Sequence, residues 1–480
     1  MKCASEGNSS RAKKFITDIL VYAIGTLGSK LITFMLVPLY TFFIAAEEYG
    51  YYDISLSITL VLMGVVCVQM NDGIFRFLID AKDESEKKNF ISSVYSILFR
   101  NYLILCGIAY VLSLFFTIPY LWVMVILLIL MGLYEIQTNI YRGIGLNKYF
   151  AIAGILTSFL LFALVLIFVV WLKMGIMGIF IAHILARILS LSIIELKLGV
   201  LKTYLSIKSI SSATSSKLLK YSFPLMINGL CWWVINSSNK VFISNYIGLE
   251  ENGKYAVVVK FASILMILST IFYKAWQENA LQQYHSPDRN KFFSSIFNTF
   301  VYGMCFLVMI FCFVLKIFYP WIVDSNYSDN IIYLYPLVFS SMIYCINTFF
   351  ELGYQCSHNT ARSMPSIMIA GGVNLIGNFV LIKFFGTFGI IASSIISFSI
   401  LLIYRAIETR RYFKINISLK SWLMFAFVIA SGVTFYFTES LLSNIVYLLI
   451  IISVSLIFMP AEIRNKVLAM HGSIIKKFKK

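Results

Sequence analysis

Glu47-Glu48-Tyr49-Gly50-Tyr51-Tyr52 returns 203 residues later as Glu250-Glu251-Asn252-Gly253-Lys254-Tyr255, so a Glu-Glu-x-Gly-x-Tyr frame occurs twice, each time in a turn between two long apolar runs. Two more matches follow in the same order. Tyr134-Glu135-Ile136 corresponds to Phe350-Glu351-Leu352, 216 residues on, and Gly175-x-x-Gly178-Ile179 to Gly386-x-x-Gly389-Ile390, 211 residues on. One such match is within chance. Three in chain order at nearly constant offset mark an internal repeat of the kind transporters use.

The segments around these frames have the character of membrane spans. Apolar residues make up 60% of the 480 and charged ones 13%, against about 45–50% and about 25% in soluble domains. A span needs about 20 apolar residues. Breaking the apolar windows at polar or Gly/Pro clusters predicts helices over 15–43, 51–78, 90–117, 119–143, 149–171 and 175–197, then 219–247, 252–278, 293–318, 331–356, 364–385 and 387–408, then 418–436 and 441–459.

The net charge of +17 is distributed by topology rather than by a nucleic-acid-binding stripe, and no nucleic-acid partner is expected. Of the 39 Lys and Arg, 27 lie in alternate connections: the start with Lys2, Arg11, Lys13 and Lys14, residues 79–90, the turn with Arg142 and Lys148, the linker from Lys197 to Lys220, Arg289 and Lys291, Arg362, the loop from Arg410 to Lys420, and the tail from Arg464. The opposite set holds three, Lys173, Lys254 and Lys383. Because Lys and Arg are retained on the cytoplasmic side, both termini are expected there. The basic start imitates a signal peptide, but no small-residue cleavage site follows, so a retained first helix is expected. The eight cysteines lie mostly in apolar runs without C-x-x-C or Cys/His spacing, and no metal site is expected.

These readings converge on an all-α integral membrane protein of about fourteen transmembrane helices. Two six-helix lobes, 1–200 and 215–410, form the repeat, and helices 13 and 14 with a basic tail, 417–480, fall outside it. Six is even, so both lobes enter the membrane in the same sense, and a pseudo-two-fold along the membrane normal with alternating access is expected. A membrane glycosyltransferase or polysaccharide polymerase is disfavoured, because there is no D-x-D metal cluster and no large outer loop.

The chain resembles the polysaccharide flippases of the multidrug/oligosaccharidyl-lipid/polysaccharide exporter superfamily, the O-antigen and capsule-repeat flippases of bacteria. The resemblance spans essentially the whole chain. It rests on Glu48-Tyr49-Gly50-Tyr51-Tyr52, Arg76-Phe77, Ala275-Trp276-Gln277-Glu278-Asn279-Ala280, and Gly371-Gly372-Val373-Asn374 with Asn378 and Gly386-x-x-Gly389. It implies a MATE-like fold in the bacterial cytoplasmic membrane that carries a polyprenyl-diphosphate-linked oligosaccharide from the cytoplasmic to the outer leaflet, alongside other polysaccharide assembly proteins. A peptidoglycan-precursor flippase and a multidrug exporter share that architecture. The multidrug exporter would prefer an acidic or apolar cavity, whereas the deep excess here is cationic.

An ionisable group inside a span is costly and is a functional candidate by default. Lys30, at the middle of the first helix, is the first choice for a cationic substrate cavity, joined by Arg76, Arg100, Arg187, Lys240 and Lys260. Lys316 and Arg405, near helix ends, are expected to snorkel to headgroups. Asp72 with Arg76, and Lys274 with Glu278, are spaced four apart with reversed order of charge, which suits a salt-bridged cytoplasmic gate. Glu135, Glu351 and Asp18 are carboxylates suited to coupling a proton or Na⁺ gradient. His183, the histidine within a predicted helix, is expected to be hydrogen-bonded rather than a ligand. Asn228, Trp232, Trp233, Asn236 and Asn239 suit a sugar-lined surface because they mix amides with flat rings.

Overall fold

The computed structural model describes Gly28, Ile32, residues 34–357 and residues 362–459. Among these residues every regular element is helical. The helices are α1 (Phe34–Phe43), α2 (Ala46–Val66), α3 (Met70–Asp80), α4 (Glu84–Phe115), α5 (Leu121–Gly143), α6 (Asn147–Val165, prolonged by a π turn to Trp171), α7 (Gly175–Leu198) and the short α8 (Val200–Tyr204). There follow α9 (Ser212–Tyr246), α10 (Leu249–Gln283), α11 (Arg289–Ile322), α12 (Leu334–Cys356), α13 (Ser363–Glu408), α14 (Leu419–Phe437) and α15 (Leu441–Phe458).

Eleven of the described helices are long and apolar enough to cross a membrane. One of them, α13, has 46 residues and non-helical geometry at Gly386. At 1.5 Å per residue it measures about 69 Å, twice the hydrocarbon core, so it is two spans joined at Gly386. The chain is therefore a multi-pass, all-helical membrane protein; the expected first helix over 15–43 is described from Phe34 on, and the expected helix over 51–78 is divided between α2 and α3.

The repeated Gly-x-x-Gly shows why the sequence keeps it. Gly175 (φ 58°) and Gly386 (φ 55°) both adopt the left-handed conformation in which a side chain is disfavoured. Three residues on, a Cβ on Gly178 would lie 3.1 Å from the Phe168 carbonyl oxygen, and one on Gly389 only 2.2 Å from that of Leu381. In each copy the first glycine turns the chain and the second lets the new helix lie against the end of the old one.

The Glu-Glu-x-Gly-x-Tyr frames correct the expectation of a turn, because they form the first turns of α2 and α10. Acidic side chains there complement the positive end of the helix dipole, which a hydropathy reading does not register. The two frames meet. A Cβ on Gly50 would lie 1.7 Å from the Leu249 carbonyl oxygen, and one on Gly253 would lie 2.0 Å from that of Ala46. Asn252 donates from Nδ2 to the Gly50 carbonyl at 2.9 Å, so the two backbones touch with no side chain between them.

By compactness the chain divides into residues 1–244 with 248–253, and 245–247 with 254–480. In the first unit α9 runs antiparallel to α2 and α3. Lys240 faces Asp53, Trp233 faces Ser57, Gly229 faces Gln69 and Ser222 faces Gly73. Those α9 positions are spaced seven, four and seven apart, one helical stripe. The linker after α7 is strapped to α4, where Ser92 donates to the Tyr204 carbonyl and accepts from the Ser206 amide. Glu84, at the start of α4, hydrogen-bonds the Tyr204 phenol and raises its pKa to about 12.

In the second unit α11 packs against α12, α14 and α15, and α12 against α13. Its centre is aromatic: Trp276 stacks on Phe349 at 4.8 Å, and Phe349 meets Phe297 edge-on at 5.1 Å. Lys316 bonds the Phe435 carbonyl and Thr438 Oγ1, so it caps the C-terminus of α14, where a cation is favoured. Arg405 corrects the snorkelling expectation. It is 2% exposed, bonded to Ser366 Oγ and the Asn347 carbonyl, and 3.5 Å from Glu351. Its position near the end of α13 suggested a headgroup, but α12 folds over it and supplies a carboxylate instead.

Candidate functional site

The expected single helix over 51–78 is broken. Val68 (φ 50°) and Gln69 (φ 49°) take left-handed backbone conformations between α2 and α3. A non-glycine residue there costs about 1–3 kcal/mol and persists only where the surroundings impose it. The surroundings are visible: Asn101 on α4 donates from Nδ2 to the Val66 carbonyl at 2.7 Å, and Gln69 donates to Asp72 Oδ2 at 3.0 Å. Replacing Asn101 with Leu should lower stability by about 0.6–1.7 kcal/mol, the range for interhelical hydrogen bonds in membranes. Thermal unfolding of the purified variant in detergent checks this; an unmoved transition would mean that the Val66 carbonyl is satisfied otherwise.

About two turns into α2, neighbouring residues point at two different helices. Asp53, 5% exposed, holds Lys240 of α9, 16% exposed, at 2.8 Å. Lys240 also donates to Ser57 Oγ at 3.2 Å, and the Trp233 indole donates to the Ser57 carbonyl at 2.9 Å. Two opposite charges removed from water in this way require each other, since either alone would stand uncompensated in a medium of low dielectric.

Tyr52 points to α7. Its hydroxyl lies 2.6 Å from His183 Nε2, and the other ring nitrogen of His183 lies 3.1 Å from Arg187 Nη1. The same Arg187 nitrogen donates to the His183 carbonyl at 2.9 Å. Arg187, midway along α7, interacts electrostatically with Glu135 and Tyr134 of α5, and Glu135 in turn with Asp72 of α3. The structure thus sets Glu135 within the electrostatic influence of both Arg187 and Asp72, residues expected on separate grounds, and adds His183 and Tyr52 on the far side of Arg187.

The remaining candidates are dispersed. Arg76 pairs with Asp80 at 3.2 Å, one turn further along α3, not with Asp72. Arg100 is exposed and bonds Asn101 Oδ1 at 3.4 Å, and Lys260 is half-buried on α10. Glu351 takes Arg405 as its partner, so the repeated carboxylates Glu135 and Glu351 both face an arginine two spans later in their own unit. Lys30 and Asp18 lie outside the described residues, as do the side chains of Lys274, Glu278, Asn228, Trp232 and Asn236.

The sequence reading passes over Tyr52, the last residue of the Glu-Glu-x-Gly-x-Tyr frame, and Asp53, at the start of the helix expected over 51–78, because their partners His183 and Lys240 lie on helices far along the chain. The available signal was an acid at the head of an apolar run, opposite a lysine that also lacked a neighbour. Among the described residues no group of His, Cys, Asp or Glu side chains is arranged to hold a metal ion.

Comparison with known proteins fits this arrangement. The family model described as "Polysaccharide biosynthesis protein" matches residues 15–277. No curated protein matches in sequence. Among solved structures, the lipid II flippase MurJ in an inward closed conformation superposes with a TM-score of 0.68 at 16% identity, covering 93% of this chain and all of that one. An inward-facing multidrug resistance MATE family transporter of the MOP superfamily gives 0.58 at 13% identity, covering 83% of this chain and 98% of that one. The Vibrio cholerae MATE transporter VcmN gives 0.55 at 14%, covering 84% and 97%. The chain therefore belongs to the polysaccharide biosynthesis protein family, and its fold is like that of the lipid II flippase MurJ and of MATE transporters.

Proposed function

We propose that the chain is a flippase that carries a polyprenyl-diphosphate-linked oligosaccharide, an O-antigen or capsule repeat unit, from the cytoplasmic to the outer leaflet of a bacterial cytoplasmic membrane. Access alternates through a cationic cavity, both termini are cytoplasmic, and the working lobes are those of the sequence repeat, 1–200 and 215–410. The observation that carries this reading is Arg187, half-buried midway along an apolar span and flanked by His183, Tyr52 and Glu135. A guanidinium at that depth is expensive unless it serves something that must pass. A diphosphate headgroup is such a passenger, because its charge is otherwise stranded in hydrocarbon.

Lys30, Arg76, Arg100, Lys240 and Lys260 complete the cationic set in this reading, and Glu135, Glu351 and Asp18 are the carboxylates available for H⁺ or Na⁺ coupling. A second reading, a lipid-linked peptidoglycan precursor as substrate, is favoured by the coverage of the whole MurJ chain. Both readings share the diphosphate. Deleting the gene and analysing the lipid-linked saccharides left on the cytoplasmic face separates them. Accumulation of a diphosphate-linked polysaccharide repeat unit is the expected result, a peptidoglycan precursor would select the second reading, and no accumulation of either would overturn the proposal.

A further inference from the structure

The hydrogen bonds around His183 fix its tautomer. An arginine carries only donors. Arg187 Nη1, 3.1 Å from His183 Nδ1, therefore donates to that nitrogen, and the neutral ring must carry its proton on Nε2. Nε2–H then donates to the Tyr52 hydroxyl at 2.6 Å. A second proton can be taken up only at Nδ1, where it would set a donor against a donor and a cation against a cation. Arg187 must then leave the ring nitrogen, and the carboxylate whose charge acts on it is that of Glu135 on α5.

We infer that His183 is a proton-binding site whose occupancy decides whether Arg187 is held by the imidazole or released toward Glu135. Tyr52 of α2 and Arg187 of its own helix touch it, Tyr40 of α1 with Tyr49 and Asp53 of α2 act on Tyr52, and Tyr134 and Glu135 of α5 act on Arg187. Of these, histidine is the side chain that ordinarily exchanges a proton between about pH 5 and pH 8. Its consequence for transport, which rests on the proposed function, follows from linkage. Protonation adds a positive charge to the site, so an anionic headgroup binds the protonated site more tightly, and by reciprocity the headgroup favours the proton.

The test uses the full chain, ¹⁵N-labelled at histidine, in lipid nanodiscs, with the His183 signals identified by their loss in His183→Gln. The expected spectrum shows the Nε2–H tautomer near about pH 8 and a doubly protonated ring on lowering to about pH 5. Tyr52→Phe removes the Nε2–H acceptor, which matters more to the charged ring, and should move the midpoint to lower pH. An Nδ1–H tautomer, a ring that stays neutral throughout, or a midpoint unmoved by Tyr52→Phe would overturn the proton site.

In vesicles with equal pH on both sides, movement of a polyprenyl-diphosphate-linked oligosaccharide should quicken as pH falls, and that dependence should vanish in His183→Gln. A retained dependence would remove the proton's role and leave transport standing. Vesicles in which the unaltered protein moves none of this lipid at any pH would end the transport reading, while the spectra would still decide the proton site.

Discussion

Gly50→Val should leave almost no folded protein in the membrane, while Gly107→Val should accumulate normally. The reason is steric. A Cβ at Gly50 would be 1.7 Å from the Leu249 carbonyl oxygen and 2.8 Å from the Gly253 amide nitrogen, and both are backbone atoms that cannot rotate away. Overpacking a well-filled core costs about 1–3 kcal/mol when side chains can adjust, and more when they cannot. Here α2 and the first turn of α10 would have to separate, which also breaks the Asn252 bond to the Gly50 carbonyl. Gly107 has no atom within 4 Å of its Cβ position, so the same substitution there tests only the effect of adding a β-branched side chain to a span. Membrane abundance and the size-exclusion profile of the two variants check the comparison. Wild-type behaviour of Gly50→Val would mean that the two repeat frames do not touch.

Asp53→Leu should be the next most damaging change. It leaves the Lys240 ammonium without its carboxylate at a position only 16% exposed, and breaking one side of a buried pair costs about 3–5 kcal/mol. Lys240→Met should cost a similar amount for the mirror reason. The double variant should be close to neutral in stability, because neither charge then remains to be compensated. Thermal unfolding of the three proteins gives the coupling directly, and simple additivity would contradict the pair. Function should separate from stability: if Lys240 contributes to the passage of the headgroup, the double variant folds but does not transport.

Much of the fold was legible because hydropathy, charge alternation and the repeat each constrain it independently. The helices end where polar clusters end them, and α13 splits at Gly386, as the two expected spans require. Three features were hidden for identifiable reasons. The Glu-Glu-x-Gly-x-Tyr frame looks like a turn because its acids interrupt hydropathy, although acids stabilise a first helical turn. The break at Val68 and Gln69 leaves no signal, since neither residue type favours φ above zero and the conformation is imposed by packing. Arg405 looked peripheral because depth in sequence is not depth in a packed unit; only α12 folding over it makes it a core residue.

The site was legible in part. Arg187 and Glu135 were singled out as charges within apolar segments and Asp72 as half of a gate pair, and Glu135 feels the charge of both others. The link from Arg187 through His183 to Tyr52 was not readable, because a hydrogen bond between residues 131 positions apart has no local signature. Asp53 was missed for the related reason that an acid is recognised as paired only once its partner's helix is placed beside it.

The central claim is that charge held within the spans lets a diphosphate cross the membrane. The most direct measurement is leaflet exchange of a fluorescent polyprenyl-diphosphate-linked oligosaccharide in vesicles containing the purified protein or its Arg187→Gln variant, with folding of both verified by size exclusion. The unaltered protein should exchange the lipid well above protein-free vesicles, and the variant should fall to their level. Equal exchange by both proteins would contradict the account.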